Sequence, residues 1–169
     1  IQTDSYRKFL QEETDPERRR ELALMNVQAM RIYEMIADMR LFARPPRPER
    51  SRMDLVELVD KVVDSLATWV EEQATSLRRA GEAGPVEIVA DPVQLSVVIR
   101  ALCQNALEAI AGPGHIEVAI RRLGGEVEIA VSDDGPGIPS EVRRHLFDPF
   151  YSGRQAGRGL GMGLAKCWR

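Results

Sequence analysis

Leu102-Cys103-Gln104-Asn105-Ala106, Asp133-Asp134-Gly135-Pro136-Gly137 and Gly159-Leu160-Gly161-Met162-Gly163 follow one another in this chain, with Phe147-Asp148-Pro149-Phe150 between the second and third. The first lies on a strongly apolar helical pattern, the second is a turn leaving a strand, and the third leads into Leu164-Ala165-Lys166, a helix start. Each alone has an ordinary structural explanation. In this order and at these spacings they describe a nucleotide pocket, which makes an enzyme the leading reading.

The chemistry of each stretch follows from its residue types. An amide is costly to bury unpaired, so Asn105 among Leu, Cys and Ala demands a specific partner. Its carbonyl oxygen is a hard donor suited to Mg2+, which keeps several waters and takes its other ligands from phosphate; an ordinary hydrogen bond would satisfy the same amide. Gly135 and Gly137 let the chain bend sharply and a flat ligand approach the backbone. Asp133 offers a carboxylate to an exocyclic amine such as that of adenine, although Gly-Pro-Gly after a strand also serves as a plain turn.

Glycines at a helix start present bare N–H groups to phosphate oxygens, and Gly159 to Gly163 has that form. No Gly-x-x-x-x-Gly-Lys-Ser/Thr is present and the loop does not follow a strand in a βαβ unit, so it is neither a P-loop nor a dinucleotide fingerprint. Tyr151 to Arg158 is polar and holds Gly153 and Gly157, the composition of a mobile lid. Arg154 and Arg158 would clamp a terminal phosphate, or stand as solvated surface arginines.

Composition bounds the rest. The 169 residues are 44% hydrophobic and 29% charged, which suits one or two small domains with a real core. The net charge of −3, with Arg interleaved among Glu and Asp, gives no reason to expect nucleic acid. Cys103 and Cys167 have neither metal-ligand spacing nor a partner framework, which suits a reducing compartment and a packing role. No signal peptide and no apolar run approaching the ~20 residues of a membrane span are expected, so membrane contact and a non-cytoplasmic location are not.

Residues 1–44 read as a helical hairpin. A short segment carries Tyr6, Phe9 and Leu10, and Asp15-Pro16-Glu17 then restarts a helix with a cap, a Pro at the first position and an acid that complements the dipole. Leu22, Met25, Ala29, Ile32, Ile36, Met39 and Ala43 recur in steps of three and four, the seam of a helix about 42 Å long packed against near-parallel partners. Two such hairpins from two chains would make a four-helix bundle; folding back on its own chain is the plainer alternative.

Pro45, Pro46 and Pro48 end that helix and place a linker at 45–52, with a second domain at 53–169. There, Asp54 caps a helix holding Leu55, Leu58, Val59, Val62, Val63, Leu66 and Val70. Val86-Glu87-Ile88-Val89 alternates like a strand, and Asp91-Pro92 starts a helix reaching about Ala111. His115–Arg122 and Glu126–Ser132, joined at Gly124-Gly125, form a hairpin. The expectation is an α+β fold: a helical hairpin, then helices on one face of a mixed, mostly antiparallel sheet.

Residues 91 to 166 resemble the ATP-binding domain of the superfamily that contains gyrase, the heat-shock 90 chaperones, the MutL proteins and sensor histidine kinases. The Phe147-Asp-Pro-Phe150 and Gly-x-Gly-Leu-Gly-x-Gly-Leu stretches resemble the histidine kinases in particular, and the hairpin ending in Phe42-Ala43-Arg44-Pro45 resembles their dimerisation and phosphotransfer module. The resemblance implies that Asn105 ligates Mg2+ bridging the phosphates, Asp133 binds the adenine amine, and Gly135 and Gly137 shape the pocket edge. It implies that Phe147 and Phe150 anchor the lid, Arg154 approaches the γ-phosphate, and Gly159, Gly161 and Gly163 cradle the phosphate chain, with Arg158, Leu160, Met162 and Leu164 expected in the ATP-binding set beside them. The implied reaction moves the γ-phosphoryl group of ATP to a histidine and then to an Asp of a response regulator receiver domain, within a homodimer joined through residues 1–44.

Three departures qualify the match. Ala101 stands where gyrase-like members carry a water-activating Glu and many histidine kinases an Asn, so hydrolysis has no evident base. Neither His115 nor His145 lies in the acceptor motif on the first hairpin helix, so no catalytic residue is assigned, and the acceptor is expected before Ile1. The family continues beyond Arg169 with a helix and two strands, so a fragment, inactive in autophosphorylation, is expected. The competing readings are a Ser/Thr kinase of the same superfamily and a nucleotide-binding dimerisation scaffold.

Overall fold

In the computed structural model, residues 15–44, 46–110, 112–151 and 161–167 are described, and the chain divides into two units, Ile1–Ala43 and Arg44–Arg169. In the first, helix α1 (Pro16–Ala43) begins as its residues dictate. Asp15 Oδ1 accepts from the Glu17 N–H at 3.0 Å, and the Asp15 carbonyl accepts from Arg19 N–H at 2.9 Å. Along α1, Met25, Ile32, Ile36 and Met39 are exposed, so no described residue of this unit covers these four seam positions. The segment before Asp15 lies outside the described residues.

Asp54 decides where the second unit takes shape. It ends strand β1 (Ser51–Asp54) and caps helix α2 (Leu55–Asp64), its Oδ1 accepting both Val56 N–H at 3.0 Å and Val86 N–H at 2.9 Å. One carboxylate thus satisfies a free helix-end donor and the backbone of a fully buried Val86, so it ties helix to strand. Strand β1 takes the last two residues of the stretch read as linker, and pairs antiparallel with β3 (Glu87–Ala90).

The single helix expected over Leu55 to Val70 is two. Helix α2 stops at Ser65, whose Oγ donates to Val62 carbonyl at 2.6 Å, and α3 (Ala67–Glu72) resumes after a turn. A strand absent from the expectation follows: β2 (Thr75–Gly81), parallel to β4 (Gly114–Leu123). Its buried Thr75 is satisfied by donating to the Gly112 carbonyl at 2.7 Å. Strand β4 turns through Gly124, at φ +63°, into antiparallel β5 (Glu126–Asp133). The three-stranded sheet therefore runs β2-β4-β5 and is mixed, as expected of the α+β class.

Helix α4 (Pro92–Ile110) packs on β4 and β5 beside α2, which packs on β2. Its Ile99, Cys103, Ala106 and Leu107 meet Leu55, Val59 and Val62 of α2 and Ile116, Val118 and Ile120 of β4 in one core. Each large side chain buried there contributes about 1.5–3 kcal/mol. At 19 residues α4 has the length and apolar composition to cross a membrane, and its Ile99, Cys103, Ala106 and Leu107 are buried in this core. That composition serves the core here. Arg100 on its flank donates to Ser65 Oγ at 2.7 Å, fastening α4 to the break after α2.

Candidate nucleotide-binding site

The site residues are positioned by α4 and by the chain leaving β5. Asn105 is half-buried on α4, one turn after Ala101, which is 6% exposed. Glu108, a further turn on, is exposed. Beyond β5, Asp133 folds back on its own loop, Oδ1 accepting from Gly135 N–H at 3.0 Å. Such local Asx bonds shape tight turns.

The neighbouring Asp134 closes the base of this loop. Its Oδ1 accepts from His115 N–H at 2.9 Å, and its N–H donates to the His115 carbonyl at 3.3 Å. Gly114 makes room for it: a Cβ there would stand 2.6 Å from Asp134 Oδ1 and 2.7 Å from Ile110 Cγ2. Sequence reasoning passed over Asp134. An Asp doublet at a strand end, followed by Gly, is the signal that exposes it, since two adjacent carboxylates can cap in opposite directions.

Gly135 brings the turn to the helix. A Cβ on it would lie 3.6 Å from both the carbonyl carbon and the Cβ of Ala109, one turn beyond Asn105 on α4. The second motif therefore reaches the helix that carries the first, and the atom a Cβ on Gly135 would crowd is Asp133 Oδ1, 2.7 Å away. Gly137 adopts φ +73°, the left-handed backbone that favours glycine.

The third motif meets the Phe stretch in the same way. Gly161 sits at φ +64°, and a Cβ on it would stand 2.6 Å from the Phe150 carbonyl carbon. Met162 and Ala165 are each 1% exposed, and the short turn at Ala165–Cys167 packs against α4. Met162 thus faces the core, which leaves only its backbone for a phosphate. Arg154, Arg158, Gly159 and Leu160 lie outside the described residues.

Phe147 and Phe150 are 42% and 59% exposed, so neither ring is a buried anchor, and the lid they were expected to hold lies outside the described residues. The stretch is organised instead by His145, whose Nδ1 is 2.6 Å from Asp148 Oδ2 and whose ring meets that of Tyr151 at 4.9 Å between centroids, tilted by 37°. Phe150 itself takes φ +65°. His115 is likewise engaged, its Nδ1 2.6 Å from Ser76 Oγ. Burial pushes the Cys103 thiol up to about 11, with Arg100 opposing weakly, so Cys103 is a neutral packing group.

A family model described as histidine kinase-, DNA gyrase B-, and HSP90-like ATPase matches residues 90–168, the span that carries all of these motifs. Sensor histidine kinase ZraS of Klebsiella oxytoca is 30% identical over 148 residues, covering 86% of this chain and 32% of that protein. Residues 90–168 form an ATP-binding domain of the sensor histidine kinase family. The catalytic domain of histidine kinase ThkA superposes on this ATP-binding domain and its surroundings with a TM-score of 0.65 at 26% identity, over 70% of this chain and 77% of that one. A second ThkA structure, in complex with response regulator protein TrrA, has a TM-score of 0.71 at 20% identity over 88% of this chain and 45% of that one, a likeness of fold alone. The chain spans under half the length of the curated relatives it matches.

Among the described residues no three His, Cys, Asp or Glu side chains gather into a metal cluster. In this ATP-binding domain Asn105 offers a half-buried amide on α4, one turn before the Ala109 that Gly135 approaches. That donor set fits a cation that brings waters and phosphate oxygens with it, and does not fit a cation needing an all-protein cage.

Proposed function

We propose that this chain is the dimerisation and ATP-binding part of a two-component sensor histidine kinase, acting in the cytoplasm. It binds Mg-ATP and transfers the γ-phosphoryl group to a histidine, for relay to an Asp of a response regulator receiver domain. The observation that carries the reading is the meeting of α4 with the Asp133 turn through Gly135 and Ala109. Its Cys103 and Cys167, which form no disulfide with each other, suit the reducing cytoplasm.

Asp133 would read the base. Its Oδ1 is held by Gly135 N–H, which orients Oδ2 toward an exocyclic amine while Gly135 and Gly137 let the ring lie against the backbone. Asn105 would hold Mg2+ through its amide oxygen, and the bound ion would neutralise charge on the phosphates. Gly161, Met162 and Gly163 would offer backbone N–H groups to the phosphate chain, with Gly159, Leu160 and Leu164 continuing the cradle and Arg154 and Arg158 reaching the terminal phosphate. Positioning supplies most of the acceleration in such a transfer. Ala101 presents only a methyl group where a water-activating carboxylate would sit, which supports transfer to protein over hydrolysis.

The accepting histidine is neither His115 nor His145, since each ring is already engaged beside the sheet or the Phe stretch. It is supplied by a segment beyond these residues. The exposed seam of α1 supports a homodimer through residues 1–44, and the ThkA–TrrA complex supports a receiver domain as partner. Incubating the parent protein with γ-labelled ATP and Mg2+ tests the reading: acid-labile protein label is expected. Acid-stable label would show a Ser or Thr acceptor, and ATP binding without label would show a nucleotide-binding scaffold.

A further inference from the structure

Asp91 serves two masters at the start of α4. Its Oδ1 accepts from Val93 N–H at 2.9 Å and Gln94 N–H at 3.0 Å, the ordinary work of an N-cap. Its Oδ2 accepts from Glu49 N–H at 2.8 Å, 42 residues earlier in the chain. Gln94, one turn into the helix, donates from Nε2 to the Pro46 carbonyl at 3.1 Å. A helix cap needs one acceptor, and Asn or Ser would supply it; the second carboxylate oxygen and the Gln94 amide are spent on the linker.

These two bonds bracket Pro48, in a stretch where Pro46 and Pro48 lack a backbone N–H. Pro48 and Arg50 also line a shallow cleft with Val89, Leu95 and Val98, so the linker lies along a surface of the ATP-binding domain. Without the bonds, the first fixed point after α1 would be β1 at Ser51, leaving residues 44–50 as tether. With them, the fixed point is Pro46. At about 3.5 Å per extended residue the tether's reach falls from about 25 Å to about 7 Å.

We propose that Asp91 and Gln94 form a clasp that fastens the linker to the ATP-binding domain and act as positioning residues for phosphoryl transfer. The clasp itself stands on the hydrogen bonds, and its positioning role rests on the function proposed above. The amides of Gln94 and Glu49 hold the Asp91 carboxyl below its ordinary value, so the clasp is charged and closed at neutral pH.

Hydrogen exchange on the parent protein tests it with two variants. Asp91→Asn keeps the cap oxygen but turns an NH2 toward the Glu49 N–H, and Gln94→Ala removes the second bond. Each is expected to speed exchange at Glu49 at least tenfold while Val93 and Leu95 stay protected. Glu49 exchanging at the free-chain rate in the unaltered protein, or unchanged in Asp91→Asn, would overturn the clasp. ATP affinity is expected to hold while the rate of autophosphorylation falls several-fold; faster exchange at Glu49 with an unchanged rate would overturn the positioning role. If the unaltered protein binds no ATP, the functional reading has failed and the exchange data still judge the clasp.

Discussion

Gly135 lies against Ala109, and the place its Cβ would occupy is 2.7 Å from Asp133 Oδ1. A methyl group there would displace the Asp133 carboxylate, which is flexible, sooner than the helix, which is not. Gly135→Ala is therefore expected to weaken ATP binding about tenfold, roughly 1.4 kcal/mol, with a melting temperature within about 2 °C of the parent. Titration calorimetry beside thermal melts checks it; a large loss of stability with intact affinity would contradict the geometry.

Asp54→Ala removes one acceptor from two donors, Val56 N–H and Val86 N–H. Losing the cap costs about 1 kcal/mol, and stranding the buried Val86 amide adds about 1–2 kcal/mol. Urea unfolding should register a loss of about 2–3 kcal/mol. Asp54→Asn, which keeps an acceptor oxygen, should recover much of it.

Ala74 takes φ +52° between α3 and β2, a left-handed backbone that costs a residue with a Cβ about 1–2 kcal/mol. Ala74→Gly relieves that, less the entropy glycine loses on folding. A net gain of about 0.5–1 kcal/mol in denaturant unfolding is expected.

The same residue explains what the sequence concealed. Helix ends at Ala43, at Asp91 and past Ile110 are legible because Pro, Asp or Gly marks them, and the β4–β5 hairpin because Gly124-Gly125 joins two alternating runs. Ala74 does the work of a glycine without being one, so nothing announces the start of β2. That strand also lies at the sheet edge, paired only with β4 among the described residues; Arg78 faces solvent, Arg79 turns to the helix layer only by bonding Asp60 Oδ1 at 2.7 Å, and Leu77 is its one large apolar residue. Ser65 likewise closes α2 with a side-chain bond where no breaker stands. Asn105, Asp133 and the glycines were legible as a set, whereas the role of Asp134 depends on a contact with His115 across the sheet.

The two thiols should separate in reactivity. Cys103 is fully buried with its pKa raised to about 11, while Cys167 is half-buried and donates to the Gly163 carbonyl at 3.2 Å. Iodoacetamide at pH 8 should label Cys167 first, with Cys103 reacting only on unfolding. The sign for stability follows from the raised value: the contribution of Cys103 is complete below the usual thiol pKa of 9.0 and is lost as pH rises toward 11.

On α1, Ile36 is 60% exposed, so Ile36→Glu costs the isolated helix little but places a charge in any seam. Sedimentation equilibrium should show the parent protein as a dimer and the variant shifted toward monomer, by at least tenfold in dissociation constant. An unaltered mass would remove α1 from the dimer interface.

Strands β2 and β4 run parallel, and that fixes when the molecule becomes complete. Thr75 pairs with Gly114 and Gly81 with Ile120, so β3 and the whole of α4 form the crossover between the two strands and must be laid down before the sheet can close. Contacts so far apart in sequence form slowly, because a long loop must be ordered before they reward it. Asn105 on α4 and Asp133 at the end of β5 take their places only after that crossover has closed and β5 has zipped onto β4. On a ribosome, the pocket is accordingly among the last parts of this domain to exist, and β3 and α4 must wait, partly uncovered, for the strands that complete it.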